Sequence, residues 1–219
     1  MTAHVRARRF LAAFVLVVFA FAATNDAWAY GGLGGRGGWS GTDTDRLKEK
    51  HKERVAQEAE KYVEAFQAVK KEEDLVGRRL GEDVQKARSE AQGDEVKAKR
   101  GIRLARHKGI KNLLKVDAKY TRLFAGVRKF KADEGDYFTD ETKGKIEILL
   151  VQVKDQARAN RERIADLYVD VGEPIKALKV LEGIYKSLAP NERMAASDLK
   201  GRIKALKAQL GIKDDGAGF

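Results

Sequence analysis

The chain has two prolines, Pro174 and Pro190. Proline removes a backbone donor and clashes with the preceding turn, so its absence from residues 1–173 leaves that stretch free to form long helices. The apolar pattern uses that freedom. Val55, Ala59, Tyr62, Phe66, Val69, Val76 and Leu80 recur at steps of three, four and seven, which is a heptad-like seam. Val84, Ala87 and Ala91 continue it after a small phase shift. Charged residues make up 35% of the chain, and Ala, Leu, Lys, Glu and Arg, all good helix formers, are abundant. The expected fold is all-α.

Local signals place the helices. Thr42 or Thr44 can cap a first helix that runs to Ala91. Gly77 and Gly81 weaken its middle, where a kink is expected. Gln92-Gly93-Asp94 turns the chain. A second helix extends to about Phe130, with Ile102, Ala105, Leu113, Val116, Tyr120, Leu123, Phe124 and Val127 on one arc. Gly101, Gly109 and Gly126 read as weak points in it. Residues 131–138 read as a loop. Thr139 can cap a third helix ending at Val171, Gly172 stops it, and Pro174 suits the first turn of a fourth. Pro190-Asn191 turns into a last helix, 192–210, ending at Gly211. These elements group into a long antiparallel hairpin, 42–131, and a second helical module, 140–211, with a frayed tail at 212–219. The seam at 55–80 needs a covering surface, either the next helix or, in a homo-oligomer, another subunit.

Ile164, Ala165, Tyr168, Gly172, Ala177 and Leu181 carry a resemblance. Residues 161–190 resemble one tetratricopeptide repeat, a helix–turn–helix unit in which these are the interlocking positions of two antiparallel helices. The resemblance implies that local fold, with the last helix as its solvating cap. The family's peptide groove needs about three stacked repeats, so it does not imply a groove here.

The N-terminus constrains the compartment. Arg6, Arg8 and Arg9 precede an unbroken apolar run, Phe10 to Ala23, and Ala27-Trp28-Ala29 offers small residues where a signal peptidase reads. Residues 1–29 read as a signal peptide cleaved near Ala29, which makes the protein periplasmic or secreted. The other reading is a short membrane anchor, which leaves the same compartment. Fourteen residues span about 21 Å of helix, whereas a bilayer core needs about 30 Å. Residues 30–41 contain seven glycines and read as a flexible segment. The chain has no cysteine, which excludes disulfides, thiol catalysis, thiolate metal sites and a lipid-anchoring cysteine.

The net charge of +11 is uneven. Residues 93–132 hold thirteen basic and three acidic side chains, while residues 30–92 hold thirteen of each. Lys97, Arg100, Lys108, Lys111, Lys115, Lys119, Arg122 and Lys129 fall on the arc opposite the apolar one. One reading is a solvated face neutralised by acidic neighbours. The other is a surface for an anionic partner: the negative cell envelope, a polyanion or an acidic protein. Export argues against chromosomal nucleic acid as the target. Tyr120, Phe124 and Phe130 lie with the apolar residues, not among the lysines, which argues against single-strand stacking.

Catalytic and metal patterns are absent from the sequence. His51 and His107 lie among lysines and arginines with no zinc spacing. Ser40, Ser89, Ser187 and Ser197 sit in no nucleophile motif. No glycine-rich stretch is followed by the Lys-Ser/Thr of a phosphate loop. The acidic runs Glu72-Glu73-Asp74, Glu82-Asp83 and 133–136 read as capping and solvating groups. No enzyme, cofactor or metal is expected. Three function classes stay open. The first is an exported interaction or scaffold protein with protein partners. The second is a periplasmic holdase, since the chain resembles the chaperones of outer-membrane proteins in composition and shape. The third is an envelope or polyanion binder using the basic helix.

Overall fold

The computed structural model describes residues 41–212. The signal-peptide reading of 1–29, the glycine-rich segment up to Ser40 and the tail from residue 213 lie outside the described residues. Contacts divide the chain into Met1–Thr44 and Asp45–Phe219. Everything below belongs to the second unit, apart from the first four residues of its first helix.

The fold is all-α. Helix α1 spans Gly41–Glu90, α2 Glu95–Glu134, α3 Asp140–Asp170, α4 Pro174–Ser187, α5 Pro190–Ala195 and α6 Ser197–Gln209, with a 3-10 turn at Gly135–Tyr137. The caps of α2 and α3 are those the local sequence favours. Asp94 Oδ1 accepts from the amides of Val96 and Lys97 at 2.9 and 3.0 Å. Thr139 Oγ1 accepts from Thr142 N at 3.2 Å. Gly172, at φ +79°, ends α3, with Glu173 N reaching back to Tyr168 O at 2.8 Å. Three boundaries differ from expectation. Gly41 opens α1 instead of closing the glycine-rich segment, which puts Thr42 and Thr44 inside the first turn and not at the cap. Helix α2 runs on through the expected loop to Glu134. Pro190-Asn191 opens a short helix of its own.

Cross-helix contacts show the register. His51 meets Glu134 at 2.9 Å, and Tyr62 meets Phe130 with ring centroids 5.2 Å apart. Lys108 meets Asp83 at 2.8 Å. Helices α1 and α2 are therefore antiparallel along the hairpin. Helix α3 returns along both. Asn160 Nδ2 donates to Leu113 O of α2 at 3.1 Å, and Lys145 Nζ donates to Glu60 of α1 at 2.6 Å. The hairpin is thus two-thirds of an up–down–up three-helix bundle. The seam is occupied within the chain: Val55, Ala59 and Phe66 are buried against Val116, Tyr120 and Val127 of α2 and Ile146, Leu149 and Val153 of α3. Farther along, Ile110 and Leu113 pack on Ile164, Leu167 and Val171, with Val76 and Leu80 alongside. The opposite side of α3 presents Ala165 to α4 and α6, where Leu181, Ile184, Leu199 and Ile203 close a third core. Helix α3 contributes to all three cores, and among the described residues every core side chain lies between Val55 and Leu210. The chain from Tyr30 onward therefore contains every core side chain of the described residues.

The expected kink at Gly77 and Gly81 is absent, because α1 is continuous through both. Gly77 is a slot: a Cβ there would sit 2.8 Å from Arg163 Nη2. The glycines of α2 act the same way. A Cβ on Gly101 would meet Ala87 Cβ at 2.9 Å, and one on Gly109 would meet Leu80 Cδ1 at 2.9 Å. Leu80 can turn aside, but Ala87 has no rotamer to change. Gly101→Ala is therefore expected to lose about 1–3 kcal/mol to backbone displacement, which outweighs about 1 kcal/mol of helix propensity. Gly81→Ala meets nothing within 4 Å and is expected to gain up to about 1 kcal/mol. Thermal melts of the two variants should move in opposite directions. A rise for both would show that the hairpin is looser than this packing.

The acidic run at 72–74 also departs from the solvating role expected of it. Glu73 is buried, accepting Tyr120 O–H at 2.8 Å and Gln156 Nε2 at 3.0 Å through the same oxygen. One polar contact thus ties all three bundle helices together.

Candidate anion-binding face

Helix α2 buries one side completely and leaves the other bare. Leu113, Val116, Tyr120 and Val127 are all 0% exposed. At about 100° per residue the opposite side is a ridge with steps of three and four: Val96, Arg100, Leu104, His107, Lys111, Leu114, Ala118, Arg122, Ala125 and Lys129. The ridge contains no acid. His107 is half-buried and the other nine are exposed. It runs about 50 Å at about 1.5 Å per residue. Lys97, Lys108, Lys115 and Lys119 flank it on one side and are also exposed.

All eight cations expected on this arc are therefore on one outer face. Neutralisation by neighbouring acids is limited to two of them. Lys108 pairs with Asp83, and Lys119 pairs with Glu72. Among the described residues, Lys97, Arg100, Lys111, Lys115, Arg122 and Lys129 make no ion pair. Exposed pairs such as these two contribute at most about 1 kcal/mol each, so they hold the hairpin register only weakly. The physical cause of the asymmetry is geometric. Acids of α1 reach only the flank nearest them, and acids of α3 face the other flank. Asp117, the one acid between Lys97 and Lys131, is taken by Arg161 of α3 at 2.7 Å.

Sequence reasoning missed the aliphatic members of the ridge. Val96, Leu104 and Leu114 are 78%, 63% and 44% exposed. Their signal was present in the same 100° projection that grouped the lysines, since they fall among the cations and away from the buried arc.

The other sites are less open. A cleft of about 370 Å³ lies between α2, α3 and the α4–α5 turn, with Phe124, Val153, Ile184 and Leu188 on its apolar side. Its cations are mostly engaged: Lys154 by Glu192, Arg158 by Glu162 and Arg161 by Asp117. Ile164, Ala165, Ala177 and Leu181 are buried along the α3–α4 pair, Tyr168 is half-buried with Lys176 Nζ 5.6 Å from its ring centroid, and Gly172 makes the turn. His51 is more enclosed than a surface histidine, lying edge-on to Tyr137 at 4.2 Å as well as against Glu134. Among the described residues no group of three or more His, Asp or Glu side chains could hold a metal ion, and no helix is long and apolar enough to cross a membrane. Comparison with known proteins finds no matching family model, no similar curated protein and no similar solved structure.

Proposed function

We propose that this chain is an exported, non-catalytic helical interaction protein that engages an anionic partner through the outer face of α2. The observation that carries the reading is the six exposed cations on that face that make no ion pair among the described residues. An ordinary solvated helix face mixes both signs. Six like charges held along one rigid helix, with self-repulsion unrelieved, create a local positive potential that attracts anions. Export rests on residues 1–29, and places the partner at or beyond the cell envelope. The helix pair at 161–190, which resembles a tetratricopeptide unit, serves in this reading as a packing module that braces α3, and α3 in turn holds α2 straight.

The test is binding of the chain from Tyr30 onward to polyglutamate across a salt series. Binding should weaken steeply with salt, because exposed charges are screened beyond about 10 Å at 0.1 M ionic strength. It should also depend on where the cations are and not on net charge alone. Equal weakening by matched charge reversals on α2 and elsewhere would overturn the reading.

A further inference from the structure

We infer that the anionic partner is a lipid bilayer surface, contacted along the α2 ridge. This rests on the reading above and adds the three exposed aliphatics to it. Val96, Leu104 and Leu114 share the ridge with Arg100 and Lys111, with Lys115 beside them. A soluble polyanion or an acidic chain in water gains nothing from a leucine that is 63% exposed. A bilayer interface takes both kinds of group: aliphatic side chains enter the headgroup–acyl boundary while lysine and arginine stay at the phosphates. Shape agrees. The ridge lies on one unbroken helix, so its row runs along a line that a flat surface can meet at once. Charge selects among surfaces. The ridge bears no acid from Val96 to Lys129, so it fits anionic lipid, and a second copy of the same ridge is repelled. The contact is peripheral: the core side of α2 stays against α1 and α3, and only the outer row meets lipid.

The test is vesicle co-sedimentation of the chain from Tyr30 onward. The probes are phosphatidylglycerol mixed with phosphatidylcholine, phosphatidylcholine alone, and soluble polyglutamate. The parent chain should bind the anionic vesicles and not the neutral ones. The double variant Leu104→Ser, Leu114→Ser should lose about tenfold in vesicle affinity and keep its polyglutamate affinity. Both leucines are exposed, so circular dichroism should be unchanged. Lys111→Gln with Lys115→Gln should weaken binding to both probes. Unchanged vesicle affinity in the leucine variant overturns the inference. So does binding of polyglutamate without anionic vesicles, an outcome that leaves the proposed function standing. Failure to bind either probe overturns both.

Discussion

Tyr120→Ala is expected to remove about 3–5 kcal/mol of stability, the range for deleting a buried aromatic. That is a large part of the 5–15 kcal/mol typical of a domain. Tyr120 is fully buried, its ring lies 6.3 Å from that of Phe66, and its O–H donates to Glu73 at 2.8 Å. The substitution therefore opens a cavity between all three bundle helices and leaves the buried Glu73 with Gln156 as its remaining side-chain donor. Tyr120→Phe separates the two contributions. It keeps the ring and removes only the hydrogen bond to a carboxylate, worth about 1.5–3 kcal/mol. Urea titration followed by far-UV circular dichroism measures both. If Tyr120→Phe is as stable as the parent, the buried pair contributes nothing.

The same pair predicts an alkaline limit. Burial, and then the hydrogen bond to Glu73, hold the Tyr120 phenol well above its ordinary pKa. Burial, with Glu58 and Asp133 nearby, raises Tyr62 as well. A phenol raised in the folded state favours unfolding only when it must ionise. Its contribution is therefore complete below the unfolded value of about 10 and is lost as pH rises above that value. Stability should fall more steeply above pH of about 10 in the parent than in Tyr120→Phe. Parallel profiles would sink this assignment.

The largest binding effect is expected from reversing Lys111, Lys115, Arg122 and Lys129 to glutamate. These four are exposed and make no ion pair among the described residues, so the fold has nothing to lose from the change. Each basic residue near an anionic surface contributes about 1 kcal/mol, and each reversal replaces attraction with repulsion. Four together should weaken binding by at least about a hundredfold. A matched control reverses Lys143, Lys179, Lys186 and Lys204, which are exposed on other helices. It produces the same net charge and should weaken binding only a few-fold. Sparing Lys108 and Lys119 matters, because reversing them would set glutamate against Asp83 and Glu72.

Much of this was legible along the chain. Periodicity, Asp94, Thr139, Gly172 and Pro174 determined that the chain is helical, where α2, α3 and α4 begin and where α3 ends, and that the eight cations of α2 lie opposite its apolar arc. Those are local properties, decided within one or two turns by capping, backbone freedom and the angle between successive side chains. What each face meets is a different matter. Glu73 reads as one acid in a solvated run, yet contacts 47 and 83 residues away enclose it. Gly101 and Gly109 read as weak points, yet a Cβ on either would run into a side chain of α1. The third helix reads as the start of a separate module, yet it completes the hairpin. Only the tertiary structure decided these, and it alone decided that among the described residues two of the eight cations find acids and six do not. A helical repeat specifies a face but not its neighbour, because side chains brought together from distant positions leave no periodic trace in either segment.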